Sequence, residues 1–280
     1  MKRIMSIQDL SCLGKCSLSV ALPIISAMGI ETSIVPTAVL SAHTQFDGFH
    51  IRDLTEDMKK VKEHWKKEDF KFDGIYTGYL ASAQQIDIVI EYIEAFSRPN
   101  NLVIVDPVMA EDGKLYTGFD DSHPSHMARL CGKADIIIPN ISEAALLLGM
   151  DYPGEDCSMD KIKEMLLGLS KLGAKCCVIT GVHFGNDRLG FVGYDSLTND
   201  FFEGSTKEVK YRSNGTGDVF ASTFTGAVLN DYSIKDALML AAEFTCRCID
   251  DTAKDPNRRT YAVNFETQIP WLCEELKKNI

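Results

Sequence analysis

The chain has no Cys-x-x-Cys pair, no basic run of five or more residues and no stretch of 18 apolar residues. Each absence excludes a class. The nine cysteines are odd in number and irregular in spacing, and Cys176-Cys177 and Cys246-Arg247-Cys248 lie in apolar settings where buried thiols are ordinary. The expectation is therefore free thiols in a reducing compartment. With no long apolar stretch, and no apolar leader region in Met1–Ser6, the expected location is the cytoplasm, without a membrane partner. A net charge of −11 and a pI near 5.0 argue against a nucleic-acid partner. The longest basic cluster, Lys59 to Lys67, is interrupted by Glu63 and reads as a solvated helix face.

Several chemical motifs are missing as well. No Gly-x-x-x-x-Gly-Lys-Ser/Thr is present, which excludes a P-loop, and no Gly-x-Ser-x-Gly marks a hydrolase elbow. Gly215-Thr216-Gly217-Asp218-Val219-Phe220 lacks the third glycine of a dinucleotide fingerprint. Among the six histidines, His123 and His126 flank Pro124 in what reads as a polar loop, so no zinc site is expected.

What is there is a rhythm. Short apolar runs at Arg3–Ile7, Thr32–Pro36, Gly74–Thr77, Leu102–Asp106, Ile136–Pro139 and Cys176–Thr180 read as strands, the later ones continuous in apolar residues as strands buried on both faces should be. Helical patterns alternate with them at Ser17–Met28, Asp53–Lys66, Ala83–Phe96, Glu143–Leu148 and Met159–Leu172. The segment Phe191–Lys210 reads as antiparallel hairpins at a sheet edge, Tyr261–Glu266 as a last edge strand and Trp271–Lys278 as a terminal helix. The pattern implies an α/β fold with a mostly parallel central sheet and helices on both faces, in one domain spanning residues 1–280. Ligands in such sheets gather at the carboxyl ends of the strands.

The stretch Asn214-Gly215-Thr216-Gly217-Asp218 precedes an apolar helix read as Val219 to Leu229. Glycines let the backbone turn toward a ligand, and the following helix offers unpaired N–H groups and a positive dipole end. Asp218 adds a carboxylate to that anion hole, which suits a general base acting beside a transferring phosphoryl group. A plain glycine turn before an acidic first helical turn has the same letters. Three apolar runs end in polar residues on one expected rim: Asp106-Pro107, Pro139-Asn140 and Thr180-Gly181. Such a rim suits phosphates and Mg²⁺, which prefers a few oxygen ligands and keeps several waters. Asn140 and Glu143 have the spacing of a capping box, a role compatible with Glu143 reaching a metal's water shell.

Together, Gly215-Thr216-Gly217-Asp218, Asp106-Pro107-Val108-Met109, Ala134 to Asn140 with Glu143, and Thr77-Gly78-Tyr79 resemble the ribokinase superfamily, in particular its pyridoxal kinase branch. The match runs in order from about residue 3 to 250 and extends to Ser6-Ile7-Gln8 and Ser41-Ala42-His43-Thr44-Gln45. The resemblance implies a three-layer αβα ribokinase-like fold and ATP-dependent phosphorylation of the 5′-hydroxymethyl group of a B6 vitamer. Asp218 is then the base, and Gly215, Thr216 and Gly217 form the anion hole. Asp106, Asn140, Glu143, Thr180 and Glu111 serve ATP and Mg²⁺, with Asp106 and Glu143 meeting the metal through water. Asp9, Thr44, Gln45 and Tyr79 line the vitamer pocket with Asp218. The cofactors implied are ATP, Mg²⁺ and a monovalent cation such as K⁺, and the assembly implied is a homodimer.

Ala110 to Tyr116 occupies the place of the family's mobile segment over the nucleotide, and Thr206–Val209 and Ala241–Cys248 are candidates for the adenine pocket by the same likeness. One departure bears on the substrate. Asp9 stands where the pyridoxal kinases commonly carry a ring-contacting serine, a change that favours an amine such as pyridoxamine. Gly14-Lys15-Cys16-Ser17 resembles a bacterial pyridoxamine-kinase subgroup. The alternatives are a hydroxymethylpyrimidine kinase of thiamine synthesis, which usually carries Cys at the position of Asp218, and a non-catalytic B6 carrier or regulatory protein.

Overall fold

The computed structural model describes residues 1–185, 187–259 and 261–278. The elements run β1 (Arg3–Ser11), α1 (Leu18–Ala27), β2 (Glu31–Leu40), β3 (Ile51–Asp53), α2 (Thr55–Lys67), β4 (Gly74–Thr77), α3 (Ala83–Phe96) and β5 (Leu102–Val105). There follow β6 (Ala110–Glu111), β7 (Lys114–Leu115), α4 (His123–Cys131), β8 (Ile136–Ile137), α5 (Ile141–Leu147), α6 (Met159–Ser170) and β9 (Cys176–His183). The last are β10 (Arg188–Asp195), β11 (Asp200–Lys207), α7 (Thr216–Leu229), α8 (Ile234–Lys254) and α9 (Ile269–Lys277).

One nine-stranded sheet takes the order β11-β10-β9-β8-β5-β4-β1-β2-β3. The central strands from β9 to β2 pair in parallel, and β3, β10 and β11 are antiparallel additions at its edges. The continuous apolar strands follow from this layering. Met5, Val103, Val105, Ile137 and Cys177 point into a core shared with α2 to α6. Their neighbours Ile4, Ile104, Ile136 and Cys176 point into a second core beneath α1, α7, α8 and α9. Both faces of each strand are therefore covered, which is the three-layer αβα arrangement expected from the sequence.

Side-chain caps mark where four helices begin, α5 among them. The hydroxyls of Ser82, Ser158 and Ser233 accept the N–H groups of Gln85, Lys161 and Asp236 at the starts of α3, α6 and α8. Three expectations need correction. Tyr261–Glu266 forms no strand; the chain there is irregular and enters a single 3₁₀ turn at Glu266–Gln268. His123 and His126 lie in α4 rather than a loop, because Pro124 occupies the helix's first turn, where a missing N–H costs nothing. The helix read as starting at Val219 starts at Thr216, so Gly217 and Asp218 belong to its first turn. The nine cysteines are free thiols. Among the described residues no helix is long and apolar enough to cross a membrane.

Candidate active site

The carboxyl ends of the parallel strands open onto a cleft of about 770 Å³. Asp106 follows β5, Asn140 follows β8 and Thr180 lies in β9, joined to Asn140 by a single bridge, so the three rim residues of the sequence reading meet there. Asp9, Thr44, Gln45, Tyr79, Glu111, Glu143, Gly215, Thr216, Gly217 and Asp218 line the same cleft. So do Thr206–Val209 and, from α8, Ala242, Thr245 and Cys246. Residues 1 to 250 of the chain thus converge on one place.

Two helices point their N-termini into it. At α5 the capping box is complete: Asn140 Oδ1 accepts from Glu143 N–H at 2.9 Å, and Glu143 Oε2 accepts from Asn140 N–H at 2.9 Å. Glu143 Oε1 accepts from Met109 N–H at 3.1 Å, so both carboxylate oxygens already hold backbone donors. At α7 no side chain caps the helix. Gly215 is its N-cap, with φ of 75°, and a Cβ there would come within 2.1 Å of the Lys15 carbonyl oxygen. Only glycine fits this turn, and the N–H groups behind it stay open to a ligand. Gly217, by contrast, is ordinary helix, so the motif's two glycines do different work.

Charge in the cleft is mostly negative, with Lys207 the cation among the described lining residues. Burial and the neighbouring Glu143 and Asp218 push the Asp106 carboxyl well above the usual range, and burial likewise raises Glu143. Burial pushes Asp218 up to about 7, with Asp9 adding to the rise and the Ser17 N–H opposing it by donating to the carboxylate. A carboxyl near neutrality can take a proton and release it again. No cluster of three or more metal-ligating side chains occurs among the described residues. Asp106 with Glu143 is a two-carboxylate set, which fits Mg²⁺ better than a cation that demands a full protein cage.

At the other end of the cleft, Tyr79 packs against Phe119, whose ring stacks on His123 at 3.8 Å between centroids. Thr44 and Gln45 are exposed at the mouth, while His43 is buried against Phe46 and Tyr261. The segment Ala110 to Tyr116 is a hairpin of β6 and β7, its turn made by Asp112 and Gly113 with φ of 50° and 74°. Gly113 N–H donates to Ser142 Oγ at 2.8 Å, and Arg212 reaches from the loop before α7 to Asp112 at 3.6 Å and Glu155 at 3.0 Å. The sequence reading gave no role to Ser11, Ser17, His43 or Ser142, all of which line the cleft. Ser17 and His43 stand inside segments that carry the resemblance, Ser11 and Ser142 in none, and the places of all four depend on backbone geometry.

The family profile described as phosphomethylpyrimidine kinase matches residues 22–264. The chain belongs to this family. It is 30% identical over 224 residues to the hydroxymethylpyrimidine/phosphomethylpyrimidine kinase of Bacillus subtilis, 77% of each chain being covered. Pyridoxal kinase of Lactobacillus plantarum superposes with a TM-score of 0.90 at 28% identity, over 99% of both chains. A Bacteroides thetaiotaomicron protein described as a candidate phosphomethylpyrimidine kinase, in a crystal form with pyridoxal, superposes with a TM-score of 0.91 at 36% identity, over 99% of this chain and 96% of that one. The chain is thus a kinase of the pyridoxal kinase/phosphomethylpyrimidine kinase family, with the ribokinase-like fold that the sequence resemblance implied.

Proposed function

We propose that this kinase transfers the γ-phosphoryl group of ATP to the 5′-hydroxymethyl group of a B6 vitamer. The observation that carries the reading is the pairing of Asp218 with the uncapped N-terminus of α7 in a cleft that also holds the acidic rim and Tyr79. The acceptor hydroxyl gives its proton to Asp218 while its oxygen bonds to the γ-phosphorus. The bond from that phosphorus to the bridging β–γ oxygen breaks, and ADP leaves. The N–H groups after Gly215 stabilise the negative charge spread over the transferring group. Asp106 and Glu143 would hold Mg²⁺ through its waters, and the metal when bound offsets the phosphate charge. Tyr79 offers a flat face to the ring, and the hairpin at Ala110 to Tyr116 excludes water above the nucleotide.

The pyridoxal in the crystal of the 36% identical relative supports a B6 acceptor. Phosphorylation of hydroxymethylpyrimidine is the second reading, favoured by the 30% identity to the Bacillus subtilis enzyme. ATP consumption with Mg²⁺ and K⁺, measured side by side with pyridoxal, pyridoxamine, pyridoxine and hydroxymethylpyrimidine, separates the two. Turnover of a vitamer at the higher kcat/KM supports the first reading, and turnover of the pyrimidine alone replaces it with the second. ATP left unconsumed with all four would point to a binding protein.

A further inference from the structure

Asp9 is a carboxylate with only 5% of its surface exposed, on the wall of the cleft, and no cation among the described residues pairs with it. Its hydrogen bonds come from the hydroxyls of Ser11, at 3.4 Å, and Ser17. Lys15, on the same loop as Ser17, is held away by Glu266 at 2.7 Å. An unpaired buried carboxylate costs stability, and a fold that retains one at a ligand site has placed it for the ligand. Local backbone supports this view. The pairing of β1 with β2 slips between Gln8 and Leu10, where Gln8 faces Pro36 and Leu10 faces Val39, so Asp9 sits at an irregularity that re-aims its side chain.

Ser17 fixes the distance between Asp9 and the phosphoryl-transfer site. Its N–H donates to Asp218 and its hydroxyl to Asp9, so one residue bridges the two carboxylates. It does so with φ of 50° and ψ of −128°, a conformation few non-glycine residues adopt. Ser17 stands at the N-cap of α1 yet its side chain caps nothing there, which leaves the hydroxyl for Asp9. A group bound at Asp9 is therefore a near neighbour of the hydroxyl bound at Asp218.

We infer that Asp9 selects the acceptor by taking a nitrogen donor carried, directly or through a methylene, by the ring carbon next to the one bearing the hydroxymethyl group. This rests on the reading above that a ring alcohol is phosphorylated beside Asp218. In pyridoxamine the aminomethyl and 5′-hydroxymethyl groups are on adjacent ring carbons, and the aminomethyl group is cationic. In hydroxymethylpyrimidine an amino group is adjacent in the same way. Pyridoxine presents a neutral hydroxyl at that position, and pyridoxal an aldehyde oxygen that accepts but cannot donate. The order expected within the vitamers is pyridoxamine, then pyridoxine, then pyridoxal. A hydrogen bond to a charged group contributes about 1.5–3 kcal/mol, so pyridoxamine should exceed pyridoxal in kcat/KM by about 10- to 100-fold.

The test measures kcat and KM for all four alcohols with the full chain, ATP and Mg²⁺, in the native protein and in Asp9→Asn and Asp9→Ser. Asn keeps the shape and removes the charge, and Ser keeps only a hydroxyl. In both variants the preference for pyridoxamine over pyridoxal should collapse toward unity, chiefly through a raised KM for the amine. The ranking in the native protein tests the idea even where a variant fails to fold. Pyridoxal as the best acceptor, or an unchanged ratio in both variants, overturns the role of Asp9 and leaves a B6 kinase standing. Hydroxymethylpyrimidine as the best acceptor, lost on Asp9→Asn, upholds the role of Asp9 and overturns the vitamer reading.

Discussion

The cleft is entered by two helix N-termini that look alike from a distance and differ in what they leave open. At α5, Asn140 and Glu143 satisfy each other's backbone donors, and Glu143, 3% exposed, also holds Met109 N–H. At α7, Gly215 brings no side chain at all, and the donors of the first turn face the cleft. One N-terminus is a finished joint and the other an unfinished one. An anion completes the second, whereas at the first it would have to displace a carboxylate already bonded to three backbone N–H groups. Asp218 lies in the first turn of the open helix, the place the proposed reaction assigns to the general base.

The largest effect expected from this contrast is at Asp218. Asp218→Asn should lower kcat by about 10²- to 10⁴-fold, the contribution of a general base, while acceptor affinity changes little. Single-turnover phosphorylation and a binding titration check the two halves separately. Near-native turnover in that variant would remove the carboxylate from the chemistry.

Gly215→Ala comes next. The added methyl meets the Lys15 carbonyl at 2.1 Å and the backbone holds φ of 75°, so the first turn of α7 must shift. A loss of about 10²- to 10³-fold in kcat is expected, as when one oxyanion donor is misplaced. A fall in melting temperature with unchanged kcat would mean that the open donors of α7 do not meet the transferring group.

The pH dependence is smaller and has a definite sign. Burial raises Asp218 to about 7, so the free protein carries the neutral acid below that value, and kcat/KM should fall about tenfold per unit of pH below about 7. Stability runs the other way. The folded state holds its proton more tightly than the unfolded chain, whose Asp has the ordinary value of 3.8, so this contribution is full below about 4 and is lost as pH rises through 7. Asp218→Asn should therefore lessen the fall in melting temperature between those limits, to which Asp9, Asp106 and Glu143 also contribute, and raise it at pH 8, by about 0.5–2 kcal/mol of stability. A variant that melts lower than the native protein at pH 8 contradicts this.

Much of this was legible in the letters. Alternating burial on two faces writes strands such as Val103–Val105 as unbroken apolar runs, and the rim residues Asp106, Asn140 and Thr180 follow from where those runs stop. The capping box was visible because its two members are three residues apart. What stayed hidden depends on contacts between distant segments. Ser17 links Asp9 and Asp218 through a backbone conformation that no residue type announces, and Gly215 is required by a carbonyl 200 residues earlier. The helix at His123 was misread because Pro124 signals both a turn and a first helical position. Tyr261–Glu266 alternates like a strand, yet Val263 and Phe265 bury into the core beneath α8 and α9 and Asn264 N–H donates to Thr252 Oγ1 instead of to a neighbouring strand.

The smallest effect belongs to the finished helix. Asn140→Ala removes the acceptor for Glu143 N–H and the donor that Asn140 Nδ2 offers to the Ala110 carbonyl at 2.9 Å. Loss of an N-cap costs about 0.5–2 kcal/mol, which denaturant unfolding can resolve. Ala110 opens the hairpin proposed to cover the nucleotide, so the variant should also loosen that segment and raise KM for ATP a few-fold while kcat holds. An open helix end answers to ligand and a closed one to stability, and the two variants must therefore separate: kcat for α7, unfolding free energy for α5. If Asn140→Ala lowers kcat as far as Gly215→Ala does, with no loss of stability, α5 is open to the phosphates after all, and its capping box breaks when they bind.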